Sequence, residues 1–406
     1  MLPMYLKYNW VWNFDYPDPE EPEYRHILDF AVELDQIYQK QIDKIYEKYK
    51  NPVFMLSGGV DSSLAVAYAK DRNPVTFSLE NWNEDDQPYV NAVVDILNLK
   101  NHIKITTLNE ITVDDIVKVQ SFFDHPHSRL LSFFWYLAAK EIKNLDIDAD
   151  VIITGAGPDH YMMEDVNSYI VSLAIKRKEY DLVKAIKYKK QIKNNFKSAT
   201  SKPSEIFSDY YEDLFEWNQF PVTFHDEEVE KLGQEPFKFK LREENIFHMD
   251  SMLCRAKELT YQYYHDLTSV FGYNFNMDVF SNEEAKAVYR KIPIEAKNCL
   301  GLSKPIIRRI ANAHLPPEIS SRDKEDWHPI IEKHDMLIGE LFFNYPIRLT
   351  CLETLLDHFL YDRNRKIYNY FDYKDLKAHF RELEYNRVSS KLWNLINLSC
   401  WLETKT

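Results

Sequence analysis

The stretch Ser57-Gly58-Gly59-Val60-Asp61-Ser62-Ser63 follows a short apolar run, Val53 to Leu56, and opens directly into a helix-like run, Leu64 to Ala69. A strand that ends in paired glycines and passes into a helix beginning with hydroxyls is an arrangement for holding phosphate. Without a Cβ, Gly58 and Gly59 let the backbone turn tightly and bring its N–H groups against an anion. Ser62 and Ser63 fall where a helix N-terminus offers orphan donors and the positive end of its dipole. Asp61 is repulsive beside a polyphosphate unless a divalent cation lies between them, so the loop implies Mg2+ with oxygen ligands.

Around this loop, short apolar runs alternate with helical patterns. Apolar residues recur at helical spacing from Ile27 to Tyr49, and Pro74 to Leu79 reads as a strand. Gln87 to Leu97 then reads as a helix, His102 to Thr106 as a strand and Leu130 to Ile142 as a buried helix. Val151-Ile152-Ile153-Thr154 is a further strand and opens into a second glycine loop, Gly155-Ala156-Gly157-Pro158-Asp159. This alternation predicts an α/β fold, a doubly wound parallel sheet whose ligands collect beyond the C-terminal strand ends. Beyond about Tyr161 strand signals nearly vanish and helical patterns dominate. The expected organisation is an N-terminal arm (1–26), a nucleotide-binding α/β core (27–165) and a mainly helical part (166–406) that closes the cleft.

Only 8 glycines occur in 406 residues, and Gly58, Gly59, Gly155 and Gly157 account for half of them, which marks both strand ends as chemical. The net charge of −14 argues against a general nucleic-acid surface. The basic run from Lys176 to Lys197, interleaved with Tyr180, Tyr188 and Phe196, is the local exception and reads first as a solvated helix face. The 4 cysteines are widely separated, with no CxxC pair for metal or redox work. No apolar run approaches the roughly 18 residues that span a bilayer, and the first residues lack the pattern of a secretory signal. A cytoplasmic setting without a membrane partner is expected.

Asp159, on the second strand-end turn, is the second carboxylate expected at the metal, although an Asp there also suits a helix cap. Further on, Leu315-Pro316-Pro317-Glu318-Ile319-Ser320-Ser321-Arg322-Asp323-Lys324 places cations on a Pro-bounded segment, preceded by Lys304, Arg308 and Arg309. The first domain offers carboxylates and backbone donors but few cations for a departing pyrophosphate, so Lys324 and then Lys304 are the candidates to supply one. His160 is a candidate base toward an incoming amine, or a histidine hydrogen-bonded in the cleft wall. His125-Pro126-His127 lacks a third nearby ligand and reads as a loop rather than a metal site.

The first loop resembles the signature of the ATP pyrophosphatase (PP-loop) superfamily; no Gly-Lys-Ser/Thr closes it as in the P-loop of kinases and GTPases. The order of SGGVDSS, Phe77-Ser78-Leu79, Asn83-Glu84-Asp85-Asp86, the Thr154–Asp159 loop and Leu-Pro-x-x-Ile-x-x-Arg-x-Lys is similar to the synthetase domain of asparagine synthetases. The tail from Ser390 to Trp401 is similar to that family's closing helix. The resemblance implies ATP bound by Leu56, Ser57, Gly58, Gly59, Asp61 and Ser62, adenine near the backbone of Ser78 and Leu79, and Thr154 and Gly155 against the nucleotide. It implies Mg2+ held by Asp61 and Asp159, with Lys304 and Lys324 on pyrophosphate. The expected reaction is an ATP-dependent carbon–nitrogen ligation: adenylation of a small-molecule or peptide carboxylate, then amide formation with an amine, ammonia, or ammonia from a separate amidotransferase subunit.

Three departures qualify it. Position 2 is Leu where the family's glutaminase domain exposes a cysteine, so glutamine hydrolysis is not expected of this chain. Ala156 and His160 stand where the second loop usually carries acids, and Asn274-Phe275-Asn276-Met277-Asp278-Val279 replaces a Glu-x-Arg-x-Pro-Phe segment, which points to a different acceptor pocket. Two other readings stay open: a PP-loop enzyme that modifies tRNA, docked through the Lys176–Lys197 stretch, and a catalytically degenerate nucleotide-binding module.

Overall fold

A computed structural model of the chain describes residues 23, 25–79, 86–105, 112–124, 126–127, 130–162, 264–299, 302–322, 357–369, 373–374 and 390–405. Helix α1 (Ile27–Lys48) leads into strand β1 (Pro52–Met55), followed by α2 (Val60–Ala69), β2 (Val75–Leu79), α3 (Gln87–Ile96) and β3 (Asn101–Ile105). Helices α4 (Val113–Phe122) and α5 (Leu130–Asn144) precede β4 (Val151–Ile153) and the short α6 (Pro158–Tyr161). After residue 264 come β5 (Asn274–Asn276), α7 (Asp278–Ser281) and α8 (Glu283–Lys291). The small hairpin of β6 (Asn298–Cys299) and β7 (Leu302–Ser303) follows, then α10 (Pro305–His314), preceded by α9 (Ile294–Lys297), then α11 (Pro317–Ser320) and the closing α12 (Ser390–Thr404).

Strands β1 to β5 form one sheet in the order β3-β2-β1-β4-β5, and every pairing is parallel. The chain moves outward from β1 through β2 to β3, then crosses to the other side of β1 for β4 and β5. That reversal makes the gap between the C-terminal ends of β1 and β4 the topological switch point.

Alternation along the strands divides the core into two layers. Val53, Phe77, Ile152 and Phe275 face one side, against Ile116, Tyr136, Ile142 and the α12 residues Leu395 and Ile396. Phe54, Val151 and Ile153 face the other, against Leu34 and Ile42 of α1, Leu64 of α2, Tyr289 of α8 and Ile307 of α10. Helix α2 is buried over nearly its whole length because it lies between the sheet and other helices rather than at the surface.

The strands and helices expected between Ile27 and Thr154 are present, while the arm expected over residues 1–26 lies, apart from Glu23, Arg25 and His26, outside the described residues. The sheet, however, is not confined to the 27–165 segment: its edge strand β5 comes from residues 274–276, whose three-residue run carries too little hydrophobic alternation to register as a strand. Helix α4 was also not foreseen, although its capping box was legible: Thr112 Oγ1 accepts from Asp115 N–H, and Asp115 accepts from Thr112 N–H. The Lys176–Lys197 run lies outside the described residues. No helix among the described residues is long and apolar enough to cross a membrane.

Candidate active site

The two glycine loops meet at the switch point. Leu56 N–H donates to Phe77 O at 2.8 Å, which carries the β1–β2 ladder up to the turn. Gly58 then takes φ +76°, a left-handed conformation that glycine adopts without strain. A Cβ there would lie 2.9 Å from Asp86 O and 3.2 Å from Tyr89 Cβ. Gly59 is the N-cap of α2. The Ser62 hydroxyl accepts from Ser57 N–H at 3.1 Å and donates to Gly59 O at 3.2 Å, with Ser57 Oγ 2.8 Å away. Ser62 therefore staples the turn that its own helix begins.

On the neighbouring strand end, Thr154 N–H donates to Asn276 O at 3.1 Å, and Thr154 Oγ1 accepts from Ala156 N–H at 3.3 Å. A Cβ on Gly155 would sit 2.4 Å from Ser62 N and 2.7 Å from the Asp61 carbonyl carbon. The second loop is thus in backbone contact with the first turn of α2, and only glycine permits it. Gly157, at φ +131°, abuts Ser281 and Phe280.

Asp61 projects from that first turn. Its Oδ2 accepts from Lys304 Nζ at 2.5 Å, while its Oδ1 is buried without a hydrogen-bond partner. Lys304 sits between the β6–β7 hairpin and α10 in a left-handed backbone conformation, φ 56° and ψ 52°, and its side chain is only 4% exposed. A non-glycine residue held there just before a proline is strained, by roughly 1–3 kcal/mol. Such strain persists where the surroundings over-determine it, here by aiming a cation at Asp61. Behind the pair lies Tyr38, whose hydroxyl is 2.5 Å from that of Tyr289. Burial first, then Tyr289, Tyr68 and the Asp61 charge push the Tyr38 hydroxyl well above its ordinary range, so it stays neutral.

The open Oδ1 of Asp61 fits a divalent cation: a buried carboxylate oxygen with a free lone pair is costly unless a donor or a metal meets it. Asp159 and His160 lie on α6 behind Gly157; of these two the structure describes the backbone. Ser78 and Leu79 end β2, and the Ser78 hydroxyl is turned to His102 Nε2 at 3.1 Å, while Leu79 O accepts from Gln87 Nε2 at 3.2 Å. Lys324 lies outside the described residues. His127 belongs to the loop between α4 and α5, with its N–H donated to Gln120 Oε1 at 3.0 Å.

Two arginines beside the site carried no role of their own in the sequence reading. Arg322 donates to Gly58 O at 3.0 Å, pairs with Asp86 and lies 3.7 Å over the Tyr89 ring. Arg308, buried on α10, donates to Ser320 O at 3.1 Å and Arg322 O at 2.5 Å. Their positions in the motif segment were visible, but no local signal says which carbonyl or carboxylate each cation meets.

No curated protein matches the chain. Among solved structures, the NMN synthetase from Francisella tularensis is similar at 17% identity and a TM-score of 0.23, over 34% of this chain and 58% of that one. The chain thus spans little more than half the length of that structure. A sequence profile of the family described as Asparagine synthase, by contrast, matches residues 48–403. That match takes in β1 and both glycine loops and runs on through the Lys304–Arg322 segment into α12, and on it the chain belongs to the asparagine synthase family.

Proposed function

We propose that this protein is an ATP-dependent carbon–nitrogen ligase that adenylates a substrate carboxylate, releases pyrophosphate, and passes the acyl group to an amine or ammonia. The observation that supports it most directly is the contact of the two glycine loops at the switch point, with Asp61 presenting an open Oδ1 and Lys304 beside it.

Backbone N–H groups of the Gly58–Gly59 turn and the N-terminus of α2 would hold the phosphates, with the nucleoside toward Ser78, Leu79 and Thr154. Mg2+ held by Asp61 and Asp159 would offset charge on the phosphate oxygens. The substrate carboxylate oxygen attacks the α-phosphorus, the bond to the β-phosphate bridging oxygen breaks, and pyrophosphate departs carrying the electron pair. Lys304 and Lys324 contribute positive charge to that departure. The amine then attacks the acyl carbon and AMP leaves; His160 is the candidate to take the amine proton. Ammonia from a separate amidotransferase subunit would serve equally as the amine. Glutamine hydrolysis is not part of this proposal.

A pyrophosphate-release screen tests it, with aspartate, other amino acids, peptides and tRNA as acceptors, each with and without ammonium. Turnover yielding AMP and pyrophosphate supports the reading. Turnover yielding ADP and phosphate overturns it.

A further inference from the structure

Gly58 is enclosed on the side facing α3. Asp86 O and Tyr89 Cβ stand where its side chain would be, and Arg322 reaches its carbonyl from the far end of the α10–α11 segment. The Arg322 side chain is 8% exposed and joins three elements at once: the loop through Gly58 O, the start of α3 through Asp86, and the Tyr89 ring. Its backbone is itself fixed, because Arg308 donates to the carbonyls of both Ser320 and Arg322. The two arginines act in series, from the core of α10 to the phosphate loop.

A trans peptide is planar, with its C=O and the following N–H directed oppositely. A guanidinium that captures Gly58 O therefore also sets the direction of Gly59 N–H, pointing it away from Arg322. A glycine pair has the widest range of backbone states of any dipeptide, so an unrestrained turn would visit orientations in which that N–H faces elsewhere. Holding it from outside reduces the ordering that a bound triphosphate must impose.

We infer that Arg322 is a positioning residue for phosphate recognition: it locks the Gly58–Gly59 peptide so that its N–H is presented to the β- and γ-phosphates, and it makes the loop depend on the C-terminal segment. This rests on the ATP-binding reading above.

The test compares wild type with Arg322→Ala, Arg322→Lys and Tyr89→Leu by calorimetric titration with Mg2+ and α,β-methylene-ATP, and separately with AMP, alongside thermal melts. A charge-assisted hydrogen bond to the loop corresponds to about a ten- to hundredfold change in affinity. The triphosphate analogue is expected to bind Arg322→Ala weaker by that factor, while AMP, which lacks the β- and γ-phosphates, changes less than about twofold. Guanidinium added to Arg322→Ala should restore part of the loss, and Arg322→Lys should fall between, since an ammonium cannot make the fork and the stack together. Tyr89→Leu keeps the fork and removes only the stack, so its loss should be the smallest. An Arg322→Ala variant with wild-type affinity for the analogue, or with equal losses for both nucleotides, overturns the inference. Should Arg322→Ala fail to fold, Arg322→Lys decides by the same ratio of the two affinities. A wild type that binds neither nucleotide would overturn the proposed function itself, which separates the two failures.

Discussion

Replacing Lys304 with Met removes one charge from the site and leaves nearly everything else in place. Met keeps the length of the side chain and leaves the left-handed backbone strain unrelieved, so what is lost is the ammonium and its contacts, the Asp61 pair among them. In the wild type Lys304 Nζ lies 2.5 Å from Asp61 Oδ2, with the lysine side chain 4% and the aspartate 14% exposed. The other carboxylate oxygen already has no partner. Breaking a fully buried pair from one side costs about 3–5 kcal/mol, because the remaining charge is left without compensation. Since Asp61 keeps some access to water, the expected loss is about 2–3 kcal/mol, read by urea denaturation in metal-free buffer. The second arm is the double variant Asp61→Asn/Lys304→Met, in which no net charge remains: it should be more stable than Lys304→Met alone, with a coupling of about 2 kcal/mol. The third is Mg2+, which should stabilise Lys304→Met more than wild type, as a cation at Asp61 replaces the lost one; at a hundredfold excess over its dissociation constant the gain is about 2.7 kcal/mol. A Lys304→Met protein as stable as wild type, or one that gains no more from Mg2+ than wild type does, would refute the reasoning.

Gly155→Ala would place a methyl group 2.4 Å from Ser62 N, against backbone atoms that cannot rotate aside, and should cost about 1–3 kcal/mol while weakening Mg2+-nucleotide binding; unchanged melting and unchanged affinity would count against the contact between the loops. Asp115 accepts from Lys140 Nζ, Tyr136 OH and Thr112 on the opposite face of the sheet, so Asp115→Asn should destabilise by about 2–4 kcal/mol at neutral pH without altering nucleotide affinity. Burial pushes that carboxyl up, but Lys140 and the Thr112 and Tyr136 donors outweigh it and hold it below the ordinary carboxylate range. Its folded value is the lower one, so its contribution is complete above about pH 5 and is lost as pH falls through the unfolded value toward the folded one. The gap between wild type and Asp115→Asn should therefore narrow in acid denaturation below about pH 4, and a gap independent of pH would reject the assignment.

Much of the sheet-forming half was legible residue by residue. Gly58, Gly59 and Gly155 announced themselves because tight turns and backbone contacts leave glycine as the residue that fits, and the apolar strands Val53–Leu56 and Val151–Ile153 because a parallel sheet buried on both faces demands continuous hydrophobicity. These are local constraints, and a linear sequence records them. The fifth strand was not legible: Asn274–Asn276 is too short and too polar to carry a period, and becomes a strand by pairing with β4. Nor could the order of residues tell that Ser62 would staple its own turn, that Lys304 would close on Asp61 across 243 positions, or that Arg322 would face Gly58 O rather than phosphate. The sequence by itself determined an α/β sheet, tight glycine turns at two strand ends and a reserve of cations downstream, because these follow from backbone sterics, hydrophobic period and composition. Which cation meets which oxygen was decided only in the folded chain, since the energy of a charge depends on its burial and on partners that tertiary packing alone brings together.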